Sequence, residues 1–294
     1  MTKKMLAAVS LAVLVLLGGV PAHALDILLT NDDGWSAPGI QRMYAALHKA
    51  GHKVTLVAPL GAQSGQGGAM NIHVGGYVDV VRQGDNMWSV DGTPVDAVRA
   101  GLDVILDGRR PDLVLSGPNF GQNLAAQTAH QSGTVNAALE AMFRGYSAIA
   151  VSVGIDIDER NAKPAFGSTL AAFDPTAELV IDLLRKLEAN GADRLLPAGL
   201  ALNINVPVPF AGHRGMRLAP LAGASDVAIH WQRGEQAFGA DGGKLQVMMH
   251  LADSAQVPRG SDIDLFRRGY ITVTPLDGRG DTLVAVPGLA EALH

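Results

Sequence analysis

Two adjacent aspartates in a glycine-ended turn, Asn31-Asp32-Asp33-Gly34, are the first residues of this sequence whose types and spacing could do chemistry. Side-by-side carboxylates bring about two negative charges together, which is costly unless a cation lies between them. Carboxylates joined by a hydroxyl and an amide oxygen make an all-oxygen donor set, which suits Mg2+ or Mn2+. Three other polar segments could complete such a set: Gln63-Ser64-Gly65, Ser116-Gly117-Pro118-Asn119 and Ser132-Gly133-Thr134. Each segment taken alone has an ordinary structural reading. The acidic turn is built of turn-favouring residues, Ser64 could cap a loop, and Asn119 could cap a helix or sit in a turn. Ser132 before an apolar run reads as an N-cap, and a helix N-terminus there is also a place for a phosphate. The chemical reading gains weight because all these segments fall on one rim of the expected fold.

That rim is set by the elements around it. Leu25 to Thr30 reads as an apolar strand that empties into the acidic turn. Pro38 can open a helix, with Ile40, Met43, Tyr44 and Leu47 at helical spacing until Gly51, and Val54 to Ala58 is the next strand. After the small-residue loop from Gly61 to Met70 come β-prone stretches over 74–81 and 87–90. A helix is expected from Thr93-Pro94 to about Leu106, then a buried strand at Leu113 to Leu115 and a polar loop from Ser116 to Ser132. A helix over about 134–143 and a strand over 148–153 follow, then a loop over 155–173, a helix over 175–190 and a strand over 200–206. The pattern is α/β: a Rossmann-like, doubly wound, mostly parallel sheet, in which ligands sit beyond the carboxyl ends of the strands. This core is expected over residues 25–207, with the sheet complete near Val206. Residues 208–294 are expected to form a β-rich C-terminal extension, probed by alternation over 208–275, and a short helix near 287–293.

Composition narrows the classes. The chain has 294 residues, 48% of them hydrophobic and 17% charged, so a packed globular protein is expected. Residues 1–24 read as a secretory signal peptide. Lys3 and Lys4 supply the positive start, Met5 to Val20 the uncharged apolar run, and Ala22 and Ala24 the small residues before cleavage. The rival reading is an uncleaved anchor, but the run is shorter than the roughly twenty residues of a span. Cleavage after Ala24 takes 24 residues from 294 to leave 270, and loss of the two lysines moves the formal charge from -5 to -7. The expected product is an exported, periplasmic or secreted protein with no membrane attachment. An acidic chain without basic runs is a poor partner for a nucleic-acid polymer. The absence of cysteine excludes thiolate chemistry and Cys-ligated metals.

The ordered motifs resemble the survival protein E (SurE) family of metal-dependent nucleotidases. The resemblance begins with Ile27-Leu28-Leu29-Thr30-Asn31-Asp32-Asp33-Gly34 and Ala37-Pro38-Gly39-Ile40, then Val57-Ala58-Pro59 leading to Ser64-Gly65. It continues through Gly92-Thr93-Pro94, Pro111 to Asn119 with Gly121 and Asn123, and Ser132-Gly133-Thr134-Val135 with Glu140. Leu202-Asn203-Ile204-Asn205-Val206-Pro207 and the stretch from Ser261-Asp262 to Leu276 complete it. The resemblance implies one divalent metal ion per subunit, Mg2+ or Mn2+, held by Asp32, Asp33, Ser64 and Asn119. It assigns Asp32, Asp33 and Asn119 to catalysis, and Asn31, Gly65, Asn119, Ser132, Gly133 and Thr134 to substrate and phosphate. It implies nucleoside 5'- and 3'-monophosphates as substrates, with polyphosphate or a broader range of phosphomonoesters as the alternative. It further implies a C-terminal extension exchanged between subunits of a homodimer or tetramer. Family members often carry a basic residue before the loop serine, where this sequence has Gln63.

The implied scheme is metal-assisted hydrolysis, with one of Asp32 or Asp33 taking a proton from the attacking water. None of the nine histidines has ligand spacing, and His130, near the rim, reads as incidental. Two other classes compete. A nucleotide-binding protein without catalysis is disfavoured because paired acids repel a phosphate unless a metal intervenes. A dinucleotide-dependent oxidoreductase is disfavoured because the first turn lacks Gly-x-Gly-x-x-Gly.

Overall fold

Residues 24–225, 227–234, 242–251 and 257–279 are described by a computed structural model of the chain. The expected signal segment up to His23 and the helix expected near 287–293 lie outside these residues. Among them, no helix is long and apolar enough to cross a membrane.

A nine-stranded mixed sheet forms the centre of the molecule. Its first strands are β1 (Asp26–Thr30), β2 (Lys53–Pro59), β3 (Val80–Gly84) and β4 (Met87–Val90). They are followed by β5 (Leu113–Phe120), β6 (Ala148–Val153), β7 (Ala201–Val206), β8 (Met216–Leu218) and, after a hairpin, β11 (Ile271–Leu276). The order across the sheet is β3-β4-β2-β1-β5-β6-β7-β11-β8. The run from β4 to β7 is parallel throughout, while β3 pairs antiparallel with β4 and β11 antiparallel with β7.

Parallel strands carry apolar residues on both faces because helices cover both. Ile27 and Leu29 of β1, with Leu113 and Leu115 of β5, join one buried cluster. That cluster packs against α1 (Pro38–Lys49) and α5 (Gly167–Glu188). Leu28 and Val114, one residue out of phase, point the opposite way into a second cluster. There they meet α2 (Pro94–Ala100) and α4 (Gly133–Phe143). Strand β1 therefore lies between β2 and β5, with helices on either side, and its carboxyl end opens where the winding reverses direction. The register Thr30↔Ser116 places the acidic turn after β1 against the segment Ser116 to Asn119.

Several elements differ from the sequence-based expectation. Residues 74–79 are not strand, and Val74 and Tyr77 are almost fully exposed; β character there begins at Val80. The segment Ser116 to Asn119, expected as loop, belongs to the end of β5. The remainder of that expected loop contains α3 (Ala125–Gln131), entered through Ala125 at φ 66°. A carboxylate far along the chain holds this entry: Asp262 accepts from the Ala125 N–H at 2.7 Å and from the Ala222 N–H at 2.8 Å. Helix α5 starts at Gly167, not at Pro175, because Thr169, Ala172 and Phe173 are buried ahead of the proline.

The sheet is not complete at Val206. Strands β11 and β8 extend it, and α6 (Asp262–Arg267) leads into β11. The other strands of the C-terminal region, β9 (Val227–Arg233) and β10 (Leu245–Leu251), pair only with each other as an antiparallel hairpin.

Candidate active site

The acidic turn is closed by its first residue. Asn31 is fully buried; its Nδ2 donates to the Gly34 carbonyl at 3.0 Å and its Oδ1 accepts from the Gly34 N–H at 3.2 Å. Each end of the amide makes one of these bonds, and its second N–H stays available to a ligand. Asn31 shapes the turn that presents Asp32 and Asp33.

Asp32 lies against the amino end of α4. The Thr134 hydroxyl donates to its Oδ1, and the Gly133 and Thr134 backbone N–H groups face the same carboxylate. The approach requires a glycine: a Cβ on Gly133 would lie 2.8 Å from the Cβ of Asp32. Burial raises the pKa of Asp32, and these hydrogen bonds, led by Thr134, oppose the rise. Gly133 and Thr134 hold the acid, while Ser132 caps the helix by accepting from the Val135 N–H at 3.1 Å.

Asp33 reaches the other way, and its Oδ2 accepts from the Phe120 N–H at 2.8 Å. This bond ties the acidic turn to the end of β5, next to Asn119. Burial, and then the charge of Asp32, push the Asp33 carboxyl up to about 6. The Asn119 Nδ2 donates to the Gly121 carbonyl at 2.7 Å, which leaves Oδ1 as the amide end suited to a cation. Ser64 and Gly65 are exposed on a turn pinned by two backbone bonds. Gln63 N–H donates to the Asp32 carbonyl at 2.7 Å, and Gly67 N–H to the Gln131 carbonyl at 2.9 Å. The acidic turn, the Ser64 loop, the end of β5 and the start of α4 thus meet on one rim.

His130 is exposed beside Gly67 of the Ser64 loop and lines a mainly apolar cavity of about 750 Å3 with Leu139, Phe143 and Leu221.

A buried amide network behind the site went unassigned in the sequence reading. Asn123 donates its backbone N–H to Asn205 Oδ1 at 2.7 Å and its Nδ2 to Ser152 Oγ at 2.9 Å. Asn203 Nδ2 donates to the Asn123 carbonyl at 2.8 Å. The network anchors the chain just after Asn119. Its signal in the sequence is the pair of asparagines two apart in β7, polar side chains on one face of an otherwise apolar strand.

The donor set fits a hard divalent cation. A buried carboxylate, Asp32, adjoins a half-buried one, Asp33, and no ion pair joins either to a Lys, Arg or His among the described residues. Asn119 Oδ1 and the hydroxyl of Ser64 supply the neutral oxygens. The charge imbalance has a measurable consequence. In chelator, Asp33→Asn is expected to melt above wild type at pH 8. The folded-state value of about 6 exceeds the ordinary 3.8, so charging Asp33 opposes folding above pH 6 and ceases to matter below about pH 4. A gap of about 1–3 kcal/mol is expected at pH 8, narrowing as the pH falls to 4. Thermal melts across that range check it, and a gap that does not change with pH contradicts it.

Comparison with known proteins places this geometry. The family described as Survival protein SurE matches residues 27–226. The 5'-nucleotidase SurE of Methanocella arvoryzae is 34% identical over 257 residues, covering 85% of this chain and 91% of that protein. The 5'-nucleotidase SurE of Nitratidesulfovibrio vulgaris (strain Miyazaki F) is 37% identical over 252 residues, covering 85% and 86%. Among solved structures, the SurE protein from Aquifex aeolicus superposes with a TM-score of 0.71 at 26% identity. It covers 92% of this chain and 100% of that one.

Proposed function

This chain belongs to the survival protein SurE family, and from that premise and the paired acids of its rim we infer that it is a 5'-nucleotidase. It is a phosphomonoesterase that hydrolyses nucleoside monophosphates to nucleoside and phosphate. The observation that carries the reading is the adjoining pair of a buried Asp32 and a half-buried Asp33, with no basic partner among the described residues, at the carboxyl end of a parallel sheet.

Asp32, Asp33, Ser64 and Asn119 would hold one divalent cation, Mg2+ or Mn2+. When bound, such an ion supplies Lewis-acid polarisation of a phosphoryl oxygen and lowers the pKa of a coordinated water. Asp33 is held in place by the Phe120 N–H, and Asp32 by Thr134, so neither carboxylate must reorganise when substrate arrives. One of the two accepts the proton of the attacking water. The Ser132 hydroxyl retains a proton to donate while its oxygen caps α4, and it would meet a phosphate oxygen together with Asn119 and the backbone at Gly65. The role of a basic residue before Ser64 is not filled by Gln63, which leaves neutralisation of the phosphate to the cation. The substrates are proposed to be 5'- and 3'-nucleoside monophosphates. A panel of 5'-AMP, 3'-AMP, p-nitrophenyl phosphate and polyphosphate tests this. Highest kcat/KM for a nucleotide supports the reading, whereas equal turnover of all phosphomonoesters would favour a broad phosphatase.

Export and assembly complete the proposal. The chain is proposed to be cleaved after Ala24, to act in the periplasm or outside the cell, and to form a homodimer or tetramer through its C-terminal region. The apolar hairpin residues Leu245 and Val247 are exposed in the single chain, which supports a partner surface there. Amino-terminal sequencing of protein from the cell envelope is expected to begin at Leu25. Retention of Lys3 and Lys4 in a membrane fraction would contradict cleavage. Light scattering of the mature protein at micromolar concentration should give an even multiple of the subunit mass, and a monomer mass would contradict assembly.

A further inference from the structure

Beside the acidic rim lies a cleft of about 540 Å3, and its walls differ in chemistry from the rim itself. Gly65 and Gly121 line it and offer no side chain to obstruct its mouth. The Gly121 carbonyl is the acceptor for Asn119 Nδ2 at 2.7 Å, so the cleft opens beside the expected cation ligand. Leu124 lines the cleft on the core side, and Ile229 and Trp231 of β9 line it on the hairpin side. Residues 229 and 231 share one face of that strand, and both side chains stay largely accessible: Ile229 is 58% and Trp231 64% exposed. Gln131 adds a carboxamide to the lining. Its backbone is fixed by the Gly67 N–H at 2.9 Å, on the same loop as Ser64.

A nucleoside monophosphate has two unlike ends. The phosphate suits the rim of acids, cation and hydroxyls. The base is a flat π surface with a polar edge, which calls for an aromatic plane and an amide that can both donate and accept. The cleft carries both features and joins the rim directly. We propose that this cleft is the nucleobase subsite of the enzyme, with Trp231 as the stacking surface and Gln131 as the group that meets the base edge. The proposal rests on the nucleotidase reading. Stacking tolerates any base because every base has a π face, so Trp231 raises affinity for nucleotides generally. Discrimination among bases falls to Gln131.

The test compares AMP with ribose 5-phosphate, which keeps the sugar and phosphate and lacks the base. In the metal-loaded mature protein, Trp231→Ala is expected to lower kcat/KM for AMP about 10- to 100-fold, mainly through KM. Ribose 5-phosphate should change by no more than about twofold, and Trp231→Phe should recover most of the AMP activity. Equal losses on both substrates, or no loss on AMP, would overturn the subsite. Equal losses accompanied by a smaller particle in light scattering would assign the hairpin face to subunit contact alone. A second readout separates this proposal from the nucleotidase reading. Adenosine, which has no phosphate, is expected to quench the indole fluorescence of wild type and to do so far less in Trp231→Phe, where Trp35 and Trp88 remain. Absence of quenching in wild type overturns the subsite even where phosphatase activity is present. Quenching without any phosphatase activity overturns the nucleotidase reading and leaves the subsite standing.

Discussion

Asp32→Asn and Asp33→Asn are each expected to lower phosphate release from AMP by on the order of a thousandfold or more while the protein stays folded. Asparagine keeps the shape of aspartate and can still accept from the groups that hold each carboxylate. For Asp33 that group is the Phe120 N–H, and for Asp32 it is the Thr134 hydroxyl. What the substitution removes is charge. Half of the anionic charge of the donor set disappears, so cation affinity falls, and a group able to accept the proton of water is lost. Circular dichroism and thermal melting establish that the fold survives, and phosphate release measures the loss. The two variants are expected to differ in detail, because Asp32 is the more deeply buried and is tied to α4. Near-wild-type activity in either variant would remove that aspartate from the mechanism.

Gly117→Ala is expected to be the most damaging single methyl in the chain for the site's framework. Gly117 has φ 119°, and a Cβ there would lie 2.2 Å from the Val151 carbonyl oxygen and 3.1 Å from the Asn119 N. The first contact is with backbone of β6, which cannot rotate away as a side chain could. Either β5 and β6 separate, or the segment carrying Asn119 and Phe120 moves. The first breaks ladder pairing, and the second displaces both the amide and the N–H that holds Asp33. A cost of about 3 kcal/mol or more is expected, or roughly 10 °C in melting temperature for a domain of this size. Activity should fall further than stability alone explains, because the displaced atoms are at the site. A melting temperature within about 2 °C of wild type, with normal activity, would show that the strand end is more yielding than this geometry indicates.

The central sheet and its rim were legible in the sequence because their signals are local. The apolar strand before Asn31, the proline-led helix after Gly34 and the glycine stop at Gly51 each mark an element through composition over a few residues. The convergence of Asp32, Asp33, Asn119 and Thr134 followed from one rule of parallel sheets. What the sequence reading missed depends on distant partners. Helix α3 is entered at an alanine with positive φ that Asp262 holds from 137 positions away. Strands β8 and β11 look like parts of an independent appendage in sequence, yet β11 finds its partner in β7, about 70 residues earlier in the chain. Pro175 reads as a helix start, but burial of Phe173 extends α5 ahead of it. Site roles divide in the same way. Asp32 and Asp33 are recognisable as an acidic pair from type and adjacency. That Asn31 closes the turn, and that Gly133 and Thr134 hold an acid, depends on which atoms meet in three dimensions.

The proposed activity turns on a divalent cation acting at Asp32 and Asp33 on a nucleotide phosphate. Its most direct measurement is phosphate release from AMP by mature protein stripped with chelator, dialysed free of it and titrated with Mn2+ or Mg2+. Negligible turnover is expected in the stripped protein. Activity should return saturably as the metal is added, with one ion bound per subunit in a parallel calorimetric titration and none bound by the Asp32→Asn, Asp33→Asn double variant. Full turnover by protein shown to be free of metal, or undiminished metal binding by the double variant, would contradict it.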